Sequence, residues 1–256
     1  MSAVTLYRAL LGIALLTVWY LVSKFLGTEF FLSTPGAVGE SIWKSLVDGS
    51  MVYHLSITLT EAAGGFAIGA ITGVILGLLL GRTPQLADIC EPYLMAFYSL
   101  PKAALAPLFV LWLGIGIDMK IIFAASIVFF FVFFNTYIGV KQVSPEQITI
   151  LRLMGANEFH LLGKVVIPSA IVWFFAGLRL SVPNALIGAV VGEIIASNRG
   201  LGFMLAHAAS QFDTAGTFAA LAGIMFLALA FNLFVKLAEK AFMPWRKVEE
   251  DREFSV

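Results

Sequence analysis

Apolar residues fall along this chain in long unbroken runs, separated by short polar interruptions. Six runs reach the roughly 20 residues that a helix needs to cross a bilayer: 8–27, 56–80, 93–113, 120–141, 168–193 and 217–240. The runs are continuous and do not alternate at every second residue, which argues against a transmembrane barrel. The expected fold class is all-α and polytopic, with about six transmembrane helices. The run over 9–26 could be mistaken for a secretory leader. It is too long for the apolar core of one, and no small-x-small cleavage site follows cleanly, so an uncleaved first span is expected. Residues 27–55 are mixed, with Pro35, Glu40, Lys44 and Asp48. There Ser33-Thr34-Pro35 has the form of a helix start with proline in the first turn. Residues 38–47 read as a helix lying along the surface.

The longest polar interruption separates the fourth and fifth runs. Ser144 can cap a helix, Pro145 suits its first position and Gln147 completes an approximate capping box. Gly155 fits a left-handed helix end. Asn157 can cap a second helix reaching about Lys164, and Pro168 starts the next span. Ile148, Leu151, Phe159, Leu161 and Leu162 give this helix pair apolar surface beside Arg152, Asn157, Glu158 and His160. Such a pair suits a grip on a soluble partner; the alternative is a loop folded back on its own protein.

Composition agrees with the run pattern. Hydrophobic residues make up 60% of the 256 and charged residues 12%, and mean hydropathy is +0.93, too little charge to cover a soluble surface. Net charge is zero, so no polyanionic partner is implied. Cys90 is the single cysteine, which excludes an internal disulfide and a cysteine metal cluster. With the N-terminus inside, Arg8, Arg82, Lys141, Arg152, Lys164, Lys236, Lys240, Arg246, Lys247 and Arg252 fall on the inner side. Lys24, Lys44, Lys120 and Arg199 fall outside, and Lys102 and Arg179 fall within spans. Positive charge marks the inside, so both termini and the 144–167 loop are expected to be cytoplasmic. His54 and His207 then lie across the membrane from His160 and cannot share a metal with it; no metal site is expected. The expected organisation is a first span with a periplasmic segment over 1–55, a membrane core over 56–245 and a cytoplasmic tail over 246–256.

Within the second span Gly65, Gly69, Gly73, Gly77 and Gly81 recur at every fourth residue. On a helix they form one slowly drifting stripe that lets a neighbouring helix approach closely, for packing or as a sliding surface. The third span is broken: Ser99-Leu100-Pro101-Lys102 leads to Pro107. Each proline removes a backbone donor, and in lipid the freed carbonyls need partners within the protein or along a wet cavity. A lysine at that depth needs a partner or water as well. The fifth span carries Arg179, Ser181, Pro183, Asn184 and Glu193, polar groups expected to face the bundle interior. Arg179 could attract an anion or pair with a carboxylate. Glu61 is a candidate partner for another buried cation. Ser99, Pro101, Lys102, Arg179, Ser181, Asn184 and Glu193 are the candidate pathway residues.

Gly155 followed by Val165-Val166-Ile167-Pro168 resembles the signature loop of binding-protein-dependent ABC importer permeases. That pattern opens with Glu-Ala-Ala, where this chain has Thr149-Ile150-Leu151; the missing acidic residue bears on one contact to the ATPase. Leu100-Pro101-Lys102-Ala103-Ala104-Leu105-Ala106-Pro107, Leu111-Trp112-Leu113-Gly114, Ala176-Gly177-Leu178-Arg179, Val191-Gly192-Glu193-Ile194 and Arg199-Gly200-Leu201-Gly202 are similar to the nitrate, taurine and alkanesulfonate subgroup. The resemblance spans about 58–245. It implies a type I ABC importer permease fold with a cytoplasmic coupling helix, in a bacterial inner membrane. It implies a second copy of the chain, two cytoplasmic ABC ATPase subunits and a periplasmic solute-binding protein as partners, with no nucleic acid. Thr149, Arg152, Gly155, Ala156, Asn157, Glu158, Phe159, His160 and Leu161 would form the ATPase-coupling surface. ATP and Mg would sit in the partner, since residues 155–164 lack the spacing of a phosphate-binding loop, and this subunit would be non-catalytic with no cofactor. The implied cargo is a small organic or inorganic anion, with an aromatic acid or vitamin precursor as the alternative. An ion-gradient carrier would instead show an inverted repeat with acidic residues at mid-membrane, and the sequence shows no repeat.

Overall fold

The computed structural model describes residues 3–25 and 29–243. The expected tail over 246–256 lies outside the described residues. Twelve α-helices follow in order among them: α1 (Ala3–Phe25), α2 (Glu29–Leu32), α3 (Pro35–Val47), α4 (Ser50–Arg82), α5 (Pro84–Ser99), α6 (Ala106–Leu113), α7 (Ile117–Lys141), α8 (Pro145–Leu153), α9 (Glu158–Leu161), α10 (Ile167–Ala196), α11 (Leu201–Ser210) and α12 (Thr214–Phe242). A 3₁₀ turn (Lys102–Leu105) precedes α6, and a π turn (Leu162–Val166) precedes α10. Five helices are long and apolar enough to cross a membrane, and α5 with α6 makes a sixth span bent by 85°. The six apolar runs of the sequence are these six spans.

The bundle is built on α7, which packs along α4 on one side and α10 on the other, with α12 closing against α10, α11 and α3. The glycine stripe makes the α4–α7 contact. A Cβ on Gly65 would lie 2.5 Å from the Ala124 methyl, one on Gly69 2.6 Å from the Ala125 carbonyl oxygen, and one on Gly81 2.6 Å from Val140 Cβ. Gly73 and Gly77 meet the backbones of Phe129 and Phe133 in the same way. Backbone therefore touches backbone over the length of the span, the arrangement that small residues permit where no hydrophobic force drives helices together. Gly177 and Gly188 let α10 approach the α7 backbone as closely: a Cβ on Gly177 would lie 3.1 Å from the Phe131 carbonyl oxygen and one on Gly188 2.7 Å from Ala124 Cα.

Helix boundaries follow local chemistry. Pro35 opens α3 and the Thr34 hydroxyl accepts from Ala37 N–H at 3.2 Å. Gly49, at φ +80°, turns the chain from α3 into α4. Three sequence expectations change. The second loop helix does not end near Lys164 before a new span; α9, the π turn and α10 form one continuous span over Glu158–Ala196. Pro168 has no N–H to give to the preceding turn, and the backbone widens just before it, where Ile167 N–H bonds back to Leu162. Lys120 is not a loop cation: it is buried in the first turn of α7. The short apolar helix α11 was hidden between the fifth and sixth runs because ten residues fall below spanning length.

Candidate functional site

At one end of the bundle the loop between α7 and α10 forms a stiff knob. The Ser144 hydroxyl accepts from Gln147 N–H at 3.4 Å and caps α8. The same hydroxyl, donating to Glu146, holds that carboxyl below its ordinary value. Helix α8 ends in a Schellman motif, with Gly155 N–H on Arg152 O at 3.0 Å and Ala156 N–H on Leu151 O at 2.9 Å. Gly155 sits at φ +81° with open space around it, so backbone conformation alone selects glycine there. Asn157 Oδ1 accepts from His160 N–H at 3.0 Å and caps α9.

Glu158 ties this knob to the bundle. Its carboxylate pairs with Arg82 at the end of α4 and, at 2.9 Å, with Arg152 at the end of α8. The outward apolar surface differs from the one expected. Phe159 is 86% exposed and Leu153 84%, with Ile150 and Met154 beside them. Leu161 is 1% exposed and packs inward, so it cannot serve as a contact residue. Ile148, Leu151 and Leu162 are half-buried, because one helical face turns toward the bundle and the positions two residues on turn away. Ala156 is half-buried, while Thr149, Arg152, Gly155, Asn157, Glu158 and His160 are exposed. The Thr149 hydroxyl bonds back to Pro145 O at 2.9 Å, within its own helix.

The broken span is held by one side chain. The Lys102 ammonium donates to the carbonyls of Tyr98 at 2.7 Å, Phe97 at 3.0 Å and Leu100 at 3.1 Å. These carbonyls lie at the end of α5 and in the link beyond it, and that of Phe97 also accepts from Leu100 N–H at 3.4 Å. The ammonium also sits 4.7 Å from the Phe130 ring centroid and 5.3 Å from that of Tyr98. Ser99 bonds its own helix at Met95 O, 2.8 Å away, and Pro101 lies in the extended link between the half-helices. A cavity of about 230 Å³ opens beside the break, lined by Lys102, Asn184, Tyr98, Phe130, Phe131 and neighbouring aliphatic side chains.

Of the seven candidate pathway residues, the cavity lining thus brings together Lys102 and Asn184. Arg179 turns to α12 and pairs with Glu239 at 3.0 Å. Ser181 is fully buried and donates to Gly177 O at 2.7 Å. Glu193 is fully buried at the other end of the bundle, in a polar cluster. There Thr58 donates to Glu193 at 2.6 Å, and three successive N–H groups at the start of α11 are taken up. Gly200 N–H goes to His54 Nδ1 at 2.9 Å, Leu201 N–H to Thr58 Oγ1 at 2.8 Å, and Gly202 N–H to Glu193 Oε2 at 2.5 Å. Glu61 pairs with Lys120, which also donates to Ser197 at 3.1 Å. This cluster seals a helix N-terminus; Glu193 and Ser181 face protein, not a cavity. Sequence reasoning missed Thr58 and His54, for which the Gly200-Leu201-Gly202 motif was the available signal. Among the described residues no group of three His, Cys, Asp or Glu could hold a metal ion.

Residues 69–248 match the family described as binding-protein-dependent transport system inner membrane component. The formylaminopyrimidine transport permease protein ThiX of Halalkalibacterium halodurans is 32% identical, covering 91% of this chain and 93% of its own. The riboflavin transport system permease protein RibX of Chloroflexus aurantiacus is 35% identical over 84% of this chain and 81% of its own. The taurine transport system permease protein TauC of Escherichia coli is 29% identical over 90% and 86%. Among solved structures, a chain of the inward-facing MetNI methionine ABC transporter superposes with a TM-score of 0.61 at 18% identity, covering 77% of this chain and 95% of that one. That likeness shows the fold: a type I ABC importer permease. Six spans, a capped polar loop between the fourth and fifth, and a match over most of the core converge, and the chain belongs to the binding-protein-dependent inner membrane components, the multi-pass permease subunits of ABC transporters.

Proposed function

We propose that two copies of this chain form the membrane path of an ATP-driven importer of a small organic solute. Two cytoplasmic ATPase subunits, holding ATP and Mg, work the 144–167 loops, and a periplasmic binding protein delivers the solute. The observation that carries this reading is the knob itself: an exposed Phe159 and Leu153 on a loop whose Glu158 is tied to α4, on a helix continuous with α10. Closure of the ATPases draws the two knobs together. Each α9 passes the displacement directly into α10, and the Arg82–Glu158 pair passes it to α4. The bundle then opens to the outside, and hydrolysis resets it. The sulfonate and taurine group and ring-bearing vitamin precursors both occur among cargoes named for relatives, and both fall within the small-solute class.

Gly155→Val and Arg82→Ala test the coupling. A β-branched residue at φ +81° costs about 1–3 kcal/mol and reshapes the knob; the exposed Arg82 pair contributes about 0–1 kcal/mol to stability. Uptake by cells should fall at least tenfold in Gly155→Val, and in Arg82→Ala ATP hydrolysis should continue with reduced uptake at an unchanged melting temperature. Full uptake by Gly155→Val would sink the reading.

A further inference from the structure

We infer that Glu61 and Glu193 share one bound proton, a built-in counter-ion that fastens α4, α7 and α10 together where α11 begins. Thr58 and Glu61 stand one turn apart on one face of α4. Thr58 reaches Glu193 at 2.6 Å, and Glu61 reaches Lys120. Lys120 runs along α10, where a Cβ on Gly192 would lie 2.9 Å from its Cγ, and its ammonium also donates to Ser197 at 3.1 Å. The two carboxyl groups thereby come within hydrogen-bonding reach of each other.

Charge does not balance without the proton. Two fully buried carboxyl groups face one buried ammonium. His54 adds no charge, because its Nδ1 accepts from Gly200 N–H and so carries no proton. Arg199, whose charge also bears on Glu61, is exposed in the link between α10 and α11, where water weakens its pull. The start of α11 supplies about half a charge at Glu193. Two carboxylates in contact away from water cannot both stay ionised. Hydrogen bonding points the same way. Lys120 apart, the Glu61 oxygens meet no donor among the described residues, and an ionised carboxylate can only accept. Glu193 can supply the missing donor. Its Oε1 accepts from Thr58 and its Oε2 from Gly202 N–H, and a carboxylic acid keeps lone pairs for both while its O–H turns to Glu61. Glu193 is then the acid, and Glu61 the carboxylate that Lys120 holds.

The test is infrared spectroscopy of the purified full chain at neutral pH, with and without isotope labelling of the glutamate carboxyl carbon. The wild-type spectrum should hold a carboxylic-acid C=O band that the label shifts. Glu193→Gln should lose that intensity and still fold. Its amide N–H replaces the proton on Glu61, its Oε1 still accepts from Gly202, and the Thr58 hydroxyl can turn to His54 O, 3.2 Å away. Glu61→Gln should lose the intensity as well, because the one remaining carboxyl then answers Lys120 as a carboxylate; an acid that Glu193 held by itself would keep its band there. The double variant Glu61→Gln/Glu193→Gln leaves Lys120 with no buried counter-charge and should melt below both single variants. Absence of a labelled acid band from the wild type overturns the inference without any variant having to fold. A band undiminished in either single variant, or a double variant that melts no lower than the singles, overturns it too.

Discussion

The side chain of Lys102 has three protons and three carbonyls to receive them. At a helix end in lipid this is a cap, with the ammonium also favoured by the negative end of the helix dipole. Lys102→Met should remove it at a cost of about 1–3 kcal/mol, chiefly at the Tyr98 and Leu100 carbonyls, since that of Phe97 keeps the Leu100 N–H. The measurement is a lower melting temperature of the purified transporter together with loss of uptake for every solute alike; a loss confined to one solute would contradict the capping role. Lysine and arginine in apolar runs announce themselves in sequence because charge at depth is costly, so Lys102, Arg179 and Glu193 were legible as special. Their partners were not. Glu239 lies 60 positions from Arg179 and Thr58 lies 135 from Glu193, separations closed by helix packing that no local pattern encodes.

At the scale of elements, the α4–α7 contact distinguishes glycines that look alike in sequence. A Cβ at Gly69 would meet the Ala125 carbonyl oxygen at 2.6 Å, whereas one at Gly64 meets the tip of Ile121 at 3.2 Å. Gly69→Ala should force the helices apart at about 1–3 kcal/mol, and Gly64→Ala should stay near wild type because an isoleucine tip can move. Thermal unfolding in detergent of both variants checks this, with equal melting temperatures as the contrary result. The stripe on α4 was readable from its four-residue spacing. The facing positions Ala124, Val128, Val132, Thr136 and Val140 keep the same spacing on α7, but phenylalanines between them hide it. The loop caps were readable to the residue, since Ser144, Gly155 and Asn157 act locally. The phase of α8 was not, and the outward surface therefore fell on Ile150, Leu153 and Met154 instead of Ile148 and Leu151. The continuity of α9 with α10 was concealed by Pro168, which sequence treats as a boundary and a π turn accommodates.

For the whole molecule, burial of Lys120 against Glu61 withdraws a cation from the outer loops and sharpens the imbalance of positive charge between the two ends. The knob end should therefore face the cytoplasm. In a Cys90→Ala background, His160→Cys should react with a membrane-impermeant maleimide only after the inner membrane is breached; labelling in intact spheroplasts would invert the topology. At the opposite end, His54, Thr58 and Glu193 hold the first amides of α11 from two separate helices. Prising α4 from α10 there would break the Thr58–Glu193 bond and strand the N–H groups of Gly200 and Leu201 if α11 stayed with α10, or that of Gly202 if it stayed with α4. In the proposed two-copy importer this end of the subunit would consequently pivot as one solid wedge, and the doorway to the outside would lie along the seam between the copies instead of through the body of either.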